Sequence, residues 1–389
     1  MVSTTKTSAK PEDLGIDPEK LEALFARAKR DVDDGTVPSA QVALARHGKL
    51  AGVRTFGSAV QGGAEKPATD QTMYQIYSCT KAIVAAAVWL LFEEGKLRLD
   101  ERVADIISEF GTNGKDAVTV EQVMLHVGGF PYAPLAPDKW NDREARLRAF
   151  AQWRLMWEPD SRYVYHPTSA HWVLAEIIYR RGGADHRDFV RERIIGPMGL
   201  GDLFVGCPPE EQERVADVVY VGEPKEPPGG WNEVTPEHVL RMNKPDARAA
   251  GVPGGGGVAT AAALALFYQT LINGGESAAG RRVLKPETIA FATEVRSKPQ
   301  HIEQMLDIPV NRGLSVVVAG DDGNAYMRGF GRTASGRAFG HGGAGGQVGW
   351  GDPATGISVG YCTNGFNDYY TTGRRVTAIS SLAANCGLG

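Results

Sequence analysis

The sequence predicts an α/β (α+β) fold: one antiparallel sheet flanked by helices and assembled from both ends of the chain, with a mostly helical domain inserted between them. Three observations carry this. A helical repeat and a hairpin pattern lie near the N-terminus, short glycine-punctuated strand patterns and a closing helix lie near the C-terminus, and helical patterns dominate the stretch between. The expected division is residues 1–81 with 299–389 as the discontinuous sheet domain and 82–298 as the helical domain, with a functional site where the two meet.

Taken in order, Met1 to Asp13 is polar, lacks an apolar signal region and reads as a disordered tail. Asp17 then offers an N-cap with Pro18 at the first helical position; Leu21, Leu24, Phe25, Ala28 and Val32 mark one apolar face, and Gly35 closes the segment. Ala40 to Arg46 and Leu50 to Phe56 flank the turn His47-Gly48-Lys49 and read as a hairpin. A lone hairpin is marginal in water, so it needs partners. Leu314–Ala319, Ala325–Phe330, Arg337–His341, Gln347–Gly351 and Gly356–Cys362 are the candidates, with Tyr369–Ala384 as the closing helix. Between them, proline and glycine clusters at Phe130–Pro137 and Glu223–Gly230 mark long loops. The longest apolar run, Ala82–Phe92, falls well short of the roughly 18 residues of a membrane span and reads as a buried helix ending at Gly95.

With 389 residues the chain can bury a sizeable core. Its formal charge of −4 includes no block of like charges, so neither nucleic acid nor an anionic membrane surface is indicated, and the expected partner is a small neutral or weakly charged molecule. Cys79, Cys207, Cys362 and Cys386 show no paired spacing, which points to free thiols and a cytoplasmic protein.

Tyr77-Ser78-Cys79-Thr80-Lys81 opens the apolar helix. A serine and a lysine three residues apart share one helix face, so the amine can take the hydroxyl proton. The same pattern occurs at Ser3-Thr4-Thr5-Lys6, and at Ser78 the bland reading is a helix cap. Further residues decide between the two. Tyr165, in Pro159–Pro167, carries a hydroxyl that can shuttle protons beside an ammonium, although a tyrosine next to proline is more often a packing residue. Gly340-His341-Gly342-Gly343-Ala344-Gly345 fits Gly-x-Gly-x-x-Gly, but a dinucleotide site needs a following helix, and here strand-like sequence follows; a glycine-flanked strand against a ligand fits better. Cys79 as nucleophile, with His341 or His166 as base, is disfavoured because it projects about 100° around the helix from Ser78. His126, His171 and the other histidines show no metal-ligand spacing, and no Gly-x-Ser-x-Gly is present.

Together, Ser78 and Lys81, Tyr165, and His341-Gly342-Gly343, in this order, resemble the serine β-lactamase and penicillin-recognising superfamily, in its class C-like branch, closest to the family VIII carboxylesterases. Supporting similarity runs through Leu97–Asp100, Val118–Gly129 and Gly257–Gly275. The resemblance implies a β-lactamase-like fold and Ser78, Lys81 and Tyr165 as catalytic residues. It also implies an oxyanion hole from the N–H groups of Ser78 and Ala344, substrate binding by His341, Gly342 and Gly343, and no cofactor. Two departures matter. Tyr165-His166-Pro167 stands where class C enzymes have Tyr-Ser-Asn, and His341 replaces a lysine that pairs with a lactam or peptide carboxylate; a neutral imidazole supplies no fixed charge. Both shift the expectation to a serine carboxylic-ester hydrolase that forms an acyl-enzyme on small, short-chain, uncharged esters. The alternatives are a β-lactamase, DD-peptidase or acyltransferase on the same residues, or a catalytically idle penicillin-binding-like module. Trp140, Trp153, Trp157 and Trp231 are expected to rim the pocket.

Overall fold

The computed structural model describes residues 8–231, 234–303 and 305–387, so the Ser3–Lys6 copy of the motif lies outside the described residues. Helix α1 (Pro18–Asp33) is capped by the Asp17 carboxylate, which accepts from the N–H groups of Glu19 and Lys20. Strands β1 (Ser39–Arg46), β2 (Lys49–Gln61) and β3 (Ala64–Pro67) follow, and the C-terminal part supplies β4 (Val317–Val318), β5 (Phe339–Gly343), β6 (Gln347–Asp352) and β7 (Ile357–Thr363). The seven form one sheet in the order β4-β5-β6-β7-β1-β2-β3 with antiparallel neighbours. The two chain ends meet at its centre: β1 pairs with β7 from Ala40 opposite Thr363 to Arg46 opposite Ile357.

The alternation along β1 shows what each face of the sheet packs against. Ala40, Val42 and Leu44 join Leu21, Leu24 and Phe25 of α1 and Ile379 of the closing helix, while Ala43 and Ala45 turn to the other core. There the helix Ala261–Ile272 lies on β1, β6 and β7. Small residues let it come close: a Cβ on Gly360 would sit 2.1 Å from the Ala261 carbonyl oxygen, and one on Gly349 2.9 Å from Leu264. This helix belongs to the sheet layer, although the sequence division placed it in the insertion.

Helix α2 (Thr80–Glu93) is buried from Thr80 to Leu91, which explains its all-round apolar sequence. It packs against α3 (Ser169–Gly182). With Ala261–Ile272 named α4 and the closing helix Tyr369–Ala384 named α5, α2, α3 and α4 share one core with one face of the sheet, while α1 and α5 build the second core on the other face.

Three expectations are corrected. From Ser8 onward the polar tail is ordered: the Ala9 N–H bonds the Leu50 carbonyl, and Leu14 and Ile16 are buried. Ala325–Phe330 forms turns rather than a strand, with Gly329 inside it and Gly323 and Gly331 on either side at positive φ. Leu314–Ala319 contributes only Val317–Val318, since Ser315 sits at φ 61 and interrupts the extended run. Among the described residues no helix is long and apolar enough to cross a membrane.

Candidate active site

Ser78 sits in the tight turn Tyr77–Cys79 that leads into α2. The turn is held on both sides. A three-stranded ribbon with Gly257–Ala259 at its centre pairs Tyr74 with Ala259 just upstream, and the Thr80 hydroxyl donates to the Tyr77 carbonyl (2.6 Å) while accepting from the Gly257 N–H (2.9 Å). Tyr77 itself adopts φ 43, a region costing a bulky residue roughly 1–3 kcal/mol, and its buried ring lies edge-on to Phe366 at 5.3 Å. The packing around Tyr77 overrides that cost. The side chain of Ser78 does not cap α2, so the bland reading of the motif fails.

Lys81, one turn along and fully buried, places Nζ 3.2 Å from Ser78 Oγ. Nζ also donates to the carbonyls of Pro167 (2.7 Å) and Gly254 (2.5 Å). Carbonyls only accept, so these two bonds tie down N–H groups, and a neutral amine keeps a lone pair to turn on the serine. From the opposite side the Tyr165 hydroxyl lies 2.9 Å from the same Oγ, with Lys81 Nζ 5.0 Å from its ring centre. The three residues singled out in the sequence thus meet at one hydroxyl. An amine and a phenol converging on one hydroxyl can accept its proton and return it elsewhere.

Tyr165 is placed by histidines that the sequence did not assign to that task. The backbone N–H groups on either side of it bond to one residue: Val164 N to the His126 carbonyl (3.4 Å) and His166 N to the His126 Nδ1 (3.2 Å). His166 Nδ1 bonds the Val164 carbonyl (2.6 Å) and its Nε2 accepts from the Phe130 N–H (3.2 Å), so the ring that replaces a class C serine links the Tyr165 loop to the Gly128–Pro131 loop. Burial holds His166 neutral, its pKa pushed down to about 3. His126, His171 and His341 are held well below the usual imidazole range too, first by burial and then by the charges of Arg312 or Lys81.

His341 is where its role changes. Both ring nitrogens are engaged inside the protein: Nδ1 with the Gly342 carbonyl (2.7 Å) and Nε2 with Arg312 (3.2 Å). The imidazole therefore braces β5 instead of presenting itself to substrate as expected. Gly343 is required by the close approach of β5 to the serine turn, because a Cβ there would lie 2.3 Å from the Ile76 carbonyl oxygen. Ala344, just beyond β5, lines the same cavity as Ser78. The strand β6 that follows removes the dinucleotide reading of Gly340–Gly345. Cys79 points away from Ser78, its buried Sγ bonding the His341 carbonyl (3.0 Å), and burial pushes the thiol far up. Arg312 and the Gly254 carbonyl are the groups beside the site to which the sequence did not point. The run Gly254–Gly257 was the available signal for the second, since a Cβ on Gly254 would meet the Pro167 carbonyl at 2.7 Å.

Ser78 opens on a cavity of about 400 Å³ lined by Tyr77, Tyr132, Leu135, Trp140, Val239 and Met242, and no Lys, Arg, Asp or Glu is among its described lining residues. A second cleft of about 780 Å³, with Trp231, Tyr326 and Tyr369 and the cationic Lys225, Arg332 and Arg374 on its walls, meets it at Val234 and Ala344. Trp140 and Trp231 thus rim the site. Trp153 instead packs beneath it against Phe150 and Phe130, and Trp157, stacked under Arg162, lines neither cavity.

Fold and site together define a serine hydrolase. Residues 24–381 match the family described as Beta-lactamase, and the chain belongs to that family. It is 28% identical over 306 residues to the Esterase/beta-lactamase LipL of Mycobacterium tuberculosis, covering 73% of this chain and 67% of that one. It superposes on a penicillin-binding protein homologue from Caulobacter crescentus with a TM-score of 0.80 at 28% identity, over 95% of this chain and 98% of the other. A family VIII carboxylesterase shares the fold, with a TM-score of 0.77 at 24% identity over 96% and 99% of the two chains.

Proposed function

We propose that the protein hydrolyses uncharged carboxylic esters through an acyl-enzyme on Ser78. The observation that carries this reading is the meeting of Lys81 Nζ and Tyr165 OH on Ser78 Oγ at the mouth of a cavity without charged walls. Lys81 with Tyr165 takes the hydroxyl proton as Oγ attacks the ester carbonyl. Tyr165 gives a proton to the departing alkoxide, and water then attacks the acyl-serine, releasing the acid and restoring the hydroxyl. The N–H groups of Ser78 and Ala344 bind the oxyanion, each worth roughly 3–4 kcal/mol by analogy with other acyl-transfer enzymes. In this reading the site lies between the sheet part and the helical part. The acyl and alcohol portions occupy the two cavities on either side of Ala344, and the apolar lining beside Ser78 favours small, short-chain groups. The apolar wall beside Ser78 gains from burying such groups and offers nothing to a carboxylate there, whereas Lys225, Arg332 and Arg374 line the second cleft, so the preference for uncharged groups belongs to the part of the substrate held beside Ser78.

The test pairs turnover of a short-chain p-nitrophenyl ester and of nitrocefin with mass spectrometry after fluorophosphonate treatment. Ester turnover and a single adduct on Ser78, both lost in Ser78→Ala, are the expected result. Nitrocefin turnover without ester turnover would replace the esterase reading by a β-lactamase one. An unlabelled Ser78 with neither activity would leave a catalytically idle binding module.

A further inference from the structure

Arg312 lies behind the site, reaches no cavity described above, and belongs to none of the motifs. Its guanidinium nevertheless reaches β5, the Tyr163 hydroxyl and the Tyr165 ring. One nitrogen donates to His341 Nε2 on β5 (3.2 Å), another to the Tyr163 hydroxyl (2.7 Å), and its central carbon stands 5.4 Å from the Tyr165 ring centre and 5.5 Å from that of Tyr163. We propose that Arg312 is a positioning residue for Tyr165: it locks the Tyr163–Tyr165 loop to β5 and holds a permanent positive charge against the ring, favouring the phenolate. The proposal rests on Tyr165 being the proton-transferring group of the proposed function.

The physical case is one of which charges can be switched off. Around Tyr165 stand Lys81 (5.0 Å from the ring centre), His126 (4.8 Å between ring centres) and His341 (6.0 Å), with His171 beside Lys81, and Tyr163 and Glu303 beside Arg312. The imidazoles are kept neutral by burial and by these same cations. Glu303 is pulled two ways, burial raising its carboxyl and Arg312 opposing. Lys81 must already be neutral to act as the base and gains its charge only on taking the proton. A guanidinium, by contrast, stays protonated across the whole working range. A cation over a ring attracts the more electron-rich phenolate more strongly than the phenol. Arg312 thus keeps Tyr165 able to accept a proton at the moment Lys81 is neutral, and a lysine in its place would keep the charge but lose the two-pronged grip on His341 and Tyr163.

The experiment follows the rate of Ser78 labelling by a fluorophosphonate from pH 5 to pH 10 in the wild type, Arg312→Met, Arg312→Lys, Tyr165→Phe and the double variant, with thermal melting of each. Labelling phosphonylates Ser78 with loss of fluoride, so it reports the activated serine's attack without needing the natural substrate. In Arg312→Met the rate at neutral pH is expected to fall at least about tenfold and its rising limb to move up by about one pH unit, so that activity recovers in alkali. Arg312→Lys should keep the wild-type limb at a lower plateau. The double variant should be no slower than Tyr165→Phe alone, because Arg312 acts through that hydroxyl. An unmoved limb in Arg312→Met, or a further loss when it is added to Tyr165→Phe, overturns the proposal. If Arg312→Met does not fold, Arg312→Lys decides: a limb displaced although the charge is retained overturns it equally. A wild type that is never labelled sinks the proposed function itself, a result separate from any Arg312 effect.

Discussion

Ser78 is approached from two sides that are held in different ways. Lys81 arrives from three residues along the same chain, on a helix buried from Thr80 to Leu91; helical geometry brings it beside Ser78, and the carbonyls of Pro167 and Gly254 then hold its amine. Tyr165 arrives from 87 residues away on a loop, and its position follows from bonds made by His126, His166 and Arg312, which belong to three separate segments. The helical side is a local device that the sequence can specify in four residues. The loop side is a tertiary device, and any one of its supports can be removed without touching Ser78.

The largest expected effects lie at the two groups themselves. Lys81→Met should cut Ser78 labelling by about a thousandfold, within the range for loss of a general base, and should also lower the melting temperature, since the carbonyls of Pro167 and Gly254 lose a buried partner. Tyr165→Phe should cost about a hundredfold and leave melting almost unchanged, because the ring packing survives. Equal losses in both, with no further loss in the double variant, would mean that amine and phenol act as one unit and the two sides are not functionally separate.

His166→Leu tests the loop side alone. It keeps a similar apolar volume but strands the Phe130 N–H and the Val164 carbonyl, at roughly 1–3 kcal/mol for each buried group. Labelling per folded molecule should drop about tenfold through misplacement of Tyr165. If stability falls and labelling does not, the ring supports the fold and not the site. The same residue gives the loop side a pH signature. In the unfolded chain His166 titrates near 6.5, in the folded protein near 3, so between these values only the unfolded state binds the proton. Its contribution is complete above pH 6.5 and declines by about 1.4 kcal/mol per unit as the pH falls, levelling off below about pH 3. His126, His171 and His341 are shifted in the same direction and add to that slope. Urea midpoints at pH 7 and pH 5 should diverge less in His166→Leu than in the wild type.

The same contrast explains what could be read in advance. Helix α1 with its Asp17 cap, the β1–β2 hairpin, α2 and α5 are specified by neighbours within a few residues, and the sequence patterns found all four. Ser78, Lys81 and Tyr165 were legible because their types and order resemble a known family. The roles of His126, His166, His341 and Arg312 were not, since each depends on a ring nitrogen or guanidinium meeting a backbone or side chain far along the chain. The sheet membership of α4 was hidden for a related reason: nothing local to Ala261–Ile272 records that Gly349 and Gly360 make room for it. Ala325–Phe330 misled because its apolar residues lie among glycines whose positive φ forbids an extended run.

The smallest effect is expected at Cys79, which lies between Ser78 and Lys81 in sequence but on neither side of the site in space. Its thiol is buried against the His341 carbonyl and pushed far from the thiolate form, so it is unavailable as a nucleophile at neutral pH. Cys79→Ala should change the labelling rate by less than about twofold and cost about 1 kcal/mol of stability for the small void left behind. The informative comparison is with Ser78→Ala in the same assay. Labelling that survives in Ser78→Ala and disappears in Cys79→Ala would make the thiol the nucleophile. Lys81 and Tyr165 would then be converging on the wrong atom, and the contrast between the two sides of Ser78 would lose its meaning.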